Sequence, residues 1–313
     1  MRDNLRHKGR LSQLGVYLGK FLRMFVYQSD WKVIPMGAII AGVVTFVVGQ
    51  NMFVTQEGTL MGSFALVCVC IWNGFFNSIQ VVCRERGIIK REHRAGLHMS
   101  AYIGAQMVYQ FLLCLAQTVV TLLICRFAGV AFPEQGIVTS WGVLDLGISI
   151  LLITYTADIL ALMVSCIVRN TTTAMTVMPF LLIFQMIFSG GFFALRGTVE
   201  NLKLVTISHW GLDSLCAVGR YNESPNVTLW NTLFKFRNVE VLGEKPLLAL
   251  IKEAENRDLV KDFLLWSGTY NQVDDYASTY ANVLSCWLAM LVLMVIFAVG
   301  AVIALEFIDR DKR

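Results

Sequence analysis

Six stretches, residues 33–54, 60–82, 102–125, 144–168, 173–195 and 282–305, are almost unbroken apolar runs. Each reaches the ~20 helical residues that suffice to cross a bilayer. In hydrocarbon a backbone must satisfy its own N–H and C=O groups, and barrel strands would be about half as long and would alternate in polarity. The runs therefore predict an all-α membrane protein with six transmembrane helices. Composition agrees, with a mean hydropathy of +0.60 and only 15% charged residues, against roughly 25% in an ordinary soluble domain. The fifth run contains Pro179, Gly190 and Gly191, which are expected to kink it or to end it near its outer end.

Basic residues set the orientation. Arg2, Arg6, Lys8, Arg10, Lys20, Arg23 and Lys32 precede the first run, Arg84, Arg86, Lys90, Arg91 and Arg94 follow the second, Arg169 follows the fourth, and Arg310, Lys312 and Arg313 end the chain. These sides are read as cytoplasmic, with both termini inside. The opposite short connections hold Arg126 or no basic residue. The segment 196–281 is longer than the roughly 60 residues over which the rule applies, so it reads as an external domain. The resulting division is a cytoplasmic segment 1–32, spans one to five over 33–195 with a charged connection at 83–101, the external domain 196–281, the sixth span 282–305 and a cytoplasmic tail 306–313. A net charge of +4 then reflects topology and anionic lipid headgroups, and no nucleic-acid partner is expected. The first run lies too far into the chain to read as a cleaved signal peptide and is expected to remain a span.

Of eight cysteines, Cys216 alone falls in the external segment, so no external disulfide is expected. Cys68 and Cys70 lie in an apolar run without His or acid nearby, which favours packing over metal binding. Asn222 and Asn226 fit the glycosylation pattern, too short a match to indicate a host. Before the first span, Leu14, Tyr17, Leu18, Phe21, Leu22 and Phe25 recur at helical spacing, which predicts an amphipathic helix on the inner surface. It serves either as an interfacial anchor or as a docking helix.

The charged stretch 83–102, "CRERGIIKREHRAGLHMSAY", is longer than an inner connection requires. Glu85 and Glu92 are seven apart on one helical face, with Ile88 and Ile89 elsewhere, and this arrangement reads as a contact surface. The wider segment "VCRERGIIKREHRAGLHMSAYIGAQMV" resembles the inner connection of the membrane domain of ABC exporters of the G (white/pleiotropic drug resistance) subfamily, within the ABC-2 permeases. "IFQMIFSGGFFA" in the fifth run and "SHWGLDSLCAVGRYNE" beyond it are similar to further elements of that family, in the same order. The resemblance implies a type V exporter fold and a dimer with a second permease copy or a homologous permease. It also implies ATP-binding subunits that drive the cavity from inward- to outward-facing. It makes Glu85, Arg86, Arg91 and Glu92 the ATPase-coupling candidates, Asn73, Phe76, Asn77, Phe184 and Phe188 the substrate-cavity candidates, and Phe192 and Phe193 an outer plug. A solvated basic loop at 83–101, hydrogen bonding between helices by the two asparagines, and plain packing of the phenylalanines are the alternatives.

No G-x-x-x-x-G-K-[ST] phosphate loop is present. ATP and magnesium are therefore expected on a separate ABC ATP-binding subunit, and no cofactor or catalytic residue on this chain. "FSGGF" lies in an apolar run and is not read as a nucleotide signature. A separate ATPase chain also suggests a bacterial cytoplasmic membrane. The implied cargo is hydrophobic or amphipathic. Asp158 lies in mid-span, where an acid is costly; it reads either as a proton carrier or as a group hydrogen-bonded to Ser, Thr or Gln of a neighbouring helix. Two other functions stay open, a proton-coupled transporter using Asp158 and a six-span scaffold or sensor that transports nothing. The stretch "KPLLALIKEAENRDLVKDFLLW" predicts a helix on the outer mouth, and His209, without a nucleophile in a catalytic setting, reads as a polar interface residue.

Overall fold

The computed structural model describes residues 9–27, 30–191, 197–241 and 243–307. Their regular structure is helical, apart from an isolated bridge between Val241 and Glu244. In chain order the α-helices are α1 (Arg10–Tyr27), α2 (Val33–Val48), α3 (Gln56–Ser78), α4 (Val81–Arg94), α5 (Met99–Phe127), α6 (Gly142–Ile167), α7 (Thr171–Ile187), α8 (Ile207–Val218), α9 (Val227–Lys235), α10 (Pro246–Asn256), α11 (Val260–Gly268) and α12 (Tyr280–Glu306).

Among the described residues four rods are long and apolar enough to cross a membrane: α3 continued by α4, α5, α6 and α12. The apolar helices α2 and α7 are shorter, at 16 and 17 residues. The sequence predicts a helix over 33–54, but α2 stops at Val48, a 3₁₀ turn covers Gly49–Asn51, and Phe53 takes a left-handed φ of 63°. The reason is visible in the packing. Met52 folds back into the space left by Gly62 and is buried, and Phe53 lies partly buried against Gly219, so both apolar side chains pack on the core without extending the helix. In the fifth run α7 tolerates Pro179 and ends at Ile187, followed by Gly190 at φ 80°. Phe192 and Phe193 lie outside the described residues. The helix expected in 245–266 is two helices, because Asp258 turns left-handed at φ 54° between α10 and α11.

α6 is the centre of the bundle, with α3, α5, α8 and α12 packed around it. The crossing with α3 is close because Gly74 has no side chain. A Cβ there would stand 2.8 Å from the Asp158 amide nitrogen and 2.9 Å from Ala157 Cβ, with the Thr154 carbonyl oxygen nearer still. On the far side Trp287 of α12 donates its indole N–H to Ser149 (2.9 Å) and Ser214 (3.2 Å), tying α12, α6 and α8 together. Cys216, expected outside, is fully buried in α8.

The two ends of the bundle differ. At one end Glu57, in the first turn of α3, accepts hydrogen bonds from the backbone of Val227 (3.3 Å) and Thr228 (2.7 Å), satisfying the free N–H groups at the start of α9. Gln56 donates to the Gly268 carbonyl at 3.0 Å. These bonds gather α9–α11 over the start of α3. At the other end α4 continues from α3, and α1 lies against α5.

Candidate functional site

Three sets of residues towards the α4 end make up the candidate site. The first is α4 itself. Its first backbone N–H groups, which have no partner inside the helix, are satisfied by Ser165 of α6: the Val82 and Cys83 amides donate to its hydroxyl at 3.1 and 3.2 Å. One turn on, Arg86 donates to the carbonyls of Cys166 (2.8 Å) and Val168 (3.1 Å) at the C-terminal end of α6, where carbonyls are unpaired and a cation is favoured. α4 is thus fastened to α6 through both its backbone and a charged side chain.

Glu85 and Glu92 do lie on one face of α4, and that face meets α1 of the same chain. Lys20 Nζ stands 3.1 Å from Glu85 Oε2, and the Tyr17 hydroxyl donates to Glu92 Oε2 at 2.8 Å. Burial, followed by the Glu92 carboxylate, pushes the Tyr17 phenol above its ordinary pKa, so it remains a donor. Gln13 completes the clasp, donating to the Gly96 carbonyl (3.1 Å) and accepting from the His98 amide (3.0 Å). The amphipathic face expected on α1 is present, with Phe21 buried and Leu14, Tyr17 and Leu18 against the core, but Leu22 points away and is exposed. The surface of α4 left exposed is formed by Arg84, Gly87, Ile88, Arg91 and Arg94. Of the four coupling candidates, Arg91 alone belongs to it; Arg86 and the two glutamates face inward.

The second set is a buried polar network among α3, α5 and α6. Asn77 and Gln117 exchange two hydrogen bonds, Asn77 Nδ2 to Gln117 Oε1 at 2.9 Å and Gln117 Nε2 to Asn77 Oδ1 at 3.0 Å. Asn77 Nδ2 also approaches Cys114 Sγ at 3.7 Å, and the Cys114 thiol donates to Asp158 Oδ2 at 3.4 Å. Cys114 is thus a donor to Asp158 that the sequence does not suggest, and the side chains of Ser78 and Asn77 on α3 also face the carboxylate. Asp158 is fully buried, and its Oδ1 has no hydrogen-bond partner among the described residues. Asn73, one turn before Asn77, is buried against Gly37 of α2. Asn77 thus bonds α3 to α5, and Asn73 packs α3 against α2.

The third set is a cavity of about 290 Å³ enclosed by α1, the starts of α2 and α5, the α3–α4 junction and Met175 of α7. Phe76 and Asn77 line it; Phe184 and Phe188 do not. Those two rings meet at a tilt at the end of α7, their centroids 4.7 Å apart, and Phe184 is partly exposed. The structure thus splits the expected cavity residues between two places. Gln106, Gln110 and Gln117 of α5 are site residues absent from the sequence reading. With Cys114 they recur at helical spacing along one face of an otherwise apolar span, a polar stripe that the sequence does contain.

At the opposite end His209 is a buried interface residue, with Nδ1 3.1 Å from Asp213 Oδ2 and its ring 5.0 Å from that of Trp210. Burial lifts the Asp213 carboxyl to about 6, with the His209 hydrogen bond opposing the shift.

Comparison with known proteins draws these features together. Residues 21–210 match the family described as ABC-2 type transporter. The chain is also 28% identical over 151 residues to an ABC transporter ATP-binding/permease protein of Mycobacterium tuberculosis, a match that covers 47% of this chain and 17% of that protein. The matched family region runs from the clasped helix α1 through the α4 connection and the polar core to the start of α8, and it includes more than half of the sequence. This chain belongs to the ABC-2 type transporter family and is a membrane-embedded permease component.

Proposed function

We propose that the chain is the permease subunit of an ATP-driven exporter, moving a hydrophobic or amphipathic substrate outward by alternating access. The observation that carries this reading is the exposed face of α4, Arg84, Gly87, Ile88, Arg91 and Arg94, on a helix bonded to α6 on one side and clasped to α1 on the other. A partner that moved this face would move helices embedded in the core. The relative's printed name joins ATP-binding and permease functions in one protein. On this chain the corresponding partner is an ABC ATP-binding subunit carrying ATP and magnesium. The permease works as a dimer with a second copy or a homologous permease, and the exposed apolar α7 face with Phe184 turns towards the substrate path. In this arrangement α2 and α7 join the four longer helices as spans, α4 and both chain ends face the cytoplasm of a bacterial cell, and 196–281 lies outside.

Affinity purification of the tagged protein from its host, followed by mass spectrometry, tests the reading. An ATP-binding subunit should copurify with the wild type and be lost with Ile88→Glu/Arg91→Glu, variants at exposed positions that leave the clasp intact. If no ATPase is recovered with the wild type, the exporter reading fails and a scaffold takes its place. A proton-coupled transporter has one observation in its favour, the unpartnered Asp158 Oδ1. It requires Asp158→Asn to abolish transport, whereas the ATP-driven reading requires transport to persist.

A further inference from the structure

The cavity behind α4 contains two buried glutamines that the permease reading does not use, and it shares Arg84 with the exposed face of α4. Gln106 and Gln110 stand one helical turn apart on α5, each only 1% exposed, and both line the cavity. The side-chain carbonyl oxygen of each is buried without a hydrogen-bond partner among the described residues. Such a group loses its water on folding and gains nothing in return unless a ligand supplies the donor. Two acceptors one turn apart, roughly 6 Å, suit one compact group with several N–H bonds. At the rim Arg84 is exposed and supplies a cation suited to an anionic oxygen. The remaining wall is mixed: Phe21 and Met24 of α1 and Leu113 are apolar, Asn77, Gln80 and Tyr109 are polar, and the Glu85 carboxylate there is paired with Lys20 at 3.1 Å; Leu22, Val26 and Met36 expose apolar side chains to the surroundings nearby.

A deep pair of acceptors, a cation at the mouth, a carboxylate already paired with Lys20 and a partly apolar wall describe a binding site for an amphiphile whose headgroup carries both a phosphate and N–H donors. We propose that the cavity binds an inner-leaflet phospholipid with a primary amine headgroup, its ammonium between Gln106 and Gln110 and its phosphate at Arg84. The site is roofed by α1, and its placement in the inner leaflet rests on the orientation given under the proposed function. A volume of about 290 Å³ accommodates a headgroup and leaves the acyl chains outside.

The test is native mass spectrometry of the full-length protein released from nanodiscs containing equal amounts of phosphatidylethanolamine and phosphatidylcholine with identical chains. The two lipids share the phosphate and differ in N–H donors. The wild type should retain the ethanolamine lipid about tenfold over the choline lipid, the scale of one or two charge-assisted hydrogen bonds. Gln106→Leu/Gln110→Leu, which removes the orphaned polar atoms and leaves an apolar wall, should bring the ratio to about one. Arg84→Gln should lower retention of both lipids without changing their ratio. Met175→Trp, which fills the cavity from α7 and leaves both glutamines in place, should abolish retention. Equal retention of the two lipids by the wild type, or a preference that survives the double leucine variant, overturns the proposal, and so does retention of free phosphoethanolamine in place of lipid. The readout involves neither ATP nor transport, so its failure and that of the exporter reading are separate results.

Discussion

Gly74 and Gly87 lie on one nearly continuous helical rod, and adding the same methyl group at each should change stability in opposite directions. At Gly74 a Cβ would come within 2.8 Å of the Asp158 amide nitrogen and 2.9 Å of Ala157 Cβ, with the Thr154 carbonyl oxygen closer. Two of these three neighbours are backbone atoms of α6 and cannot rotate aside, so α3 and α6 must separate by a large fraction of an ångström. Overpacking of this kind costs up to about 3 kcal/mol, offset by about 1 kcal/mol from the better helix propensity of alanine. Gly74→Ala should therefore lose about 2 kcal/mol, a fall in Tm on the order of 4 °C for a chain of this size. At Gly87 nothing stands within 4 Å of the added atom, so Gly87→Ala should retain the propensity gain of about 1 kcal/mol and raise Tm. Thermal unfolding in mild detergent, followed by the reaction of a thiol-sensitive dye with the cysteines that become exposed, measures both. An unchanged Tm for Gly74→Ala would refute the close α3–α6 crossing, and with it the placement of Asp158 beside Cys114.

Three further outcomes follow from individual bonds. Asn77→Ala and Gln117→Ala should each cost about 1–3 kcal/mol by leaving a buried amide unpaired. Asn77→Leu/Gln117→Leu should cost less than the sum of the two, as a double-mutant cycle on the same unfolding assay would show. The Lys20–Glu85 pair is partly solvated, so Glu85→Lys alone should loosen α1 by no more than about 1 kcal/mol; this would register as faster proteolysis after α1, and Lys20→Glu/Glu85→Lys should reverse it. Because burial raises the Asp213 carboxyl to about 6, the folded protein binds that proton more tightly than the unfolded chain. The stabilisation is fully present below pH 4 and is lost as pH rises through 6. Asp213→Asn should flatten this part of the stability–pH profile, read against the remaining charges around it, His209, Lys203 and Asp275.

How much of this was legible in the sequence depended on whether a feature was set by local spacing or by a distant neighbour. The spans centred on 60–82, 102–125, 144–168 and 282–305 required only length and polarity, and α3, α5, α6 and α12 match them to within a few residues. The ends of α2 and of the α10–α11 pair depended on Met52 finding Gly62 and on a left-handed Asp258, and neither leaves a trace in hydropathy. Glu85 and Glu92 were correctly placed on a single face, yet spacing cannot tell whether the partner is another subunit or a helix 65 residues earlier in the same chain. Asn77 was recognised as polar in a span, whereas its match with Gln117 requires knowing the relative rotation of α3 and α5.

The junction between α3 and α4 has a mechanical consequence. Ile79 and Gln80 interrupt the rod for a single turn, and at that point Ser165 and the last carbonyls of α6 hold the start of α4 through three residues, Val82, Cys83 and Arg86. Such a joint is a fulcrum: α4 projects about 21 Å beyond it and α3 about 35 Å behind it, at 1.5 Å per residue. A tilt of ~10° about that point would sweep the far end of α4 through ~4 Å, while the pivot itself stays seated on the most deeply buried helix of the bundle. Under the proposed function, force applied near Arg91 would act as torque on the core, with α1 strapped to the short arm.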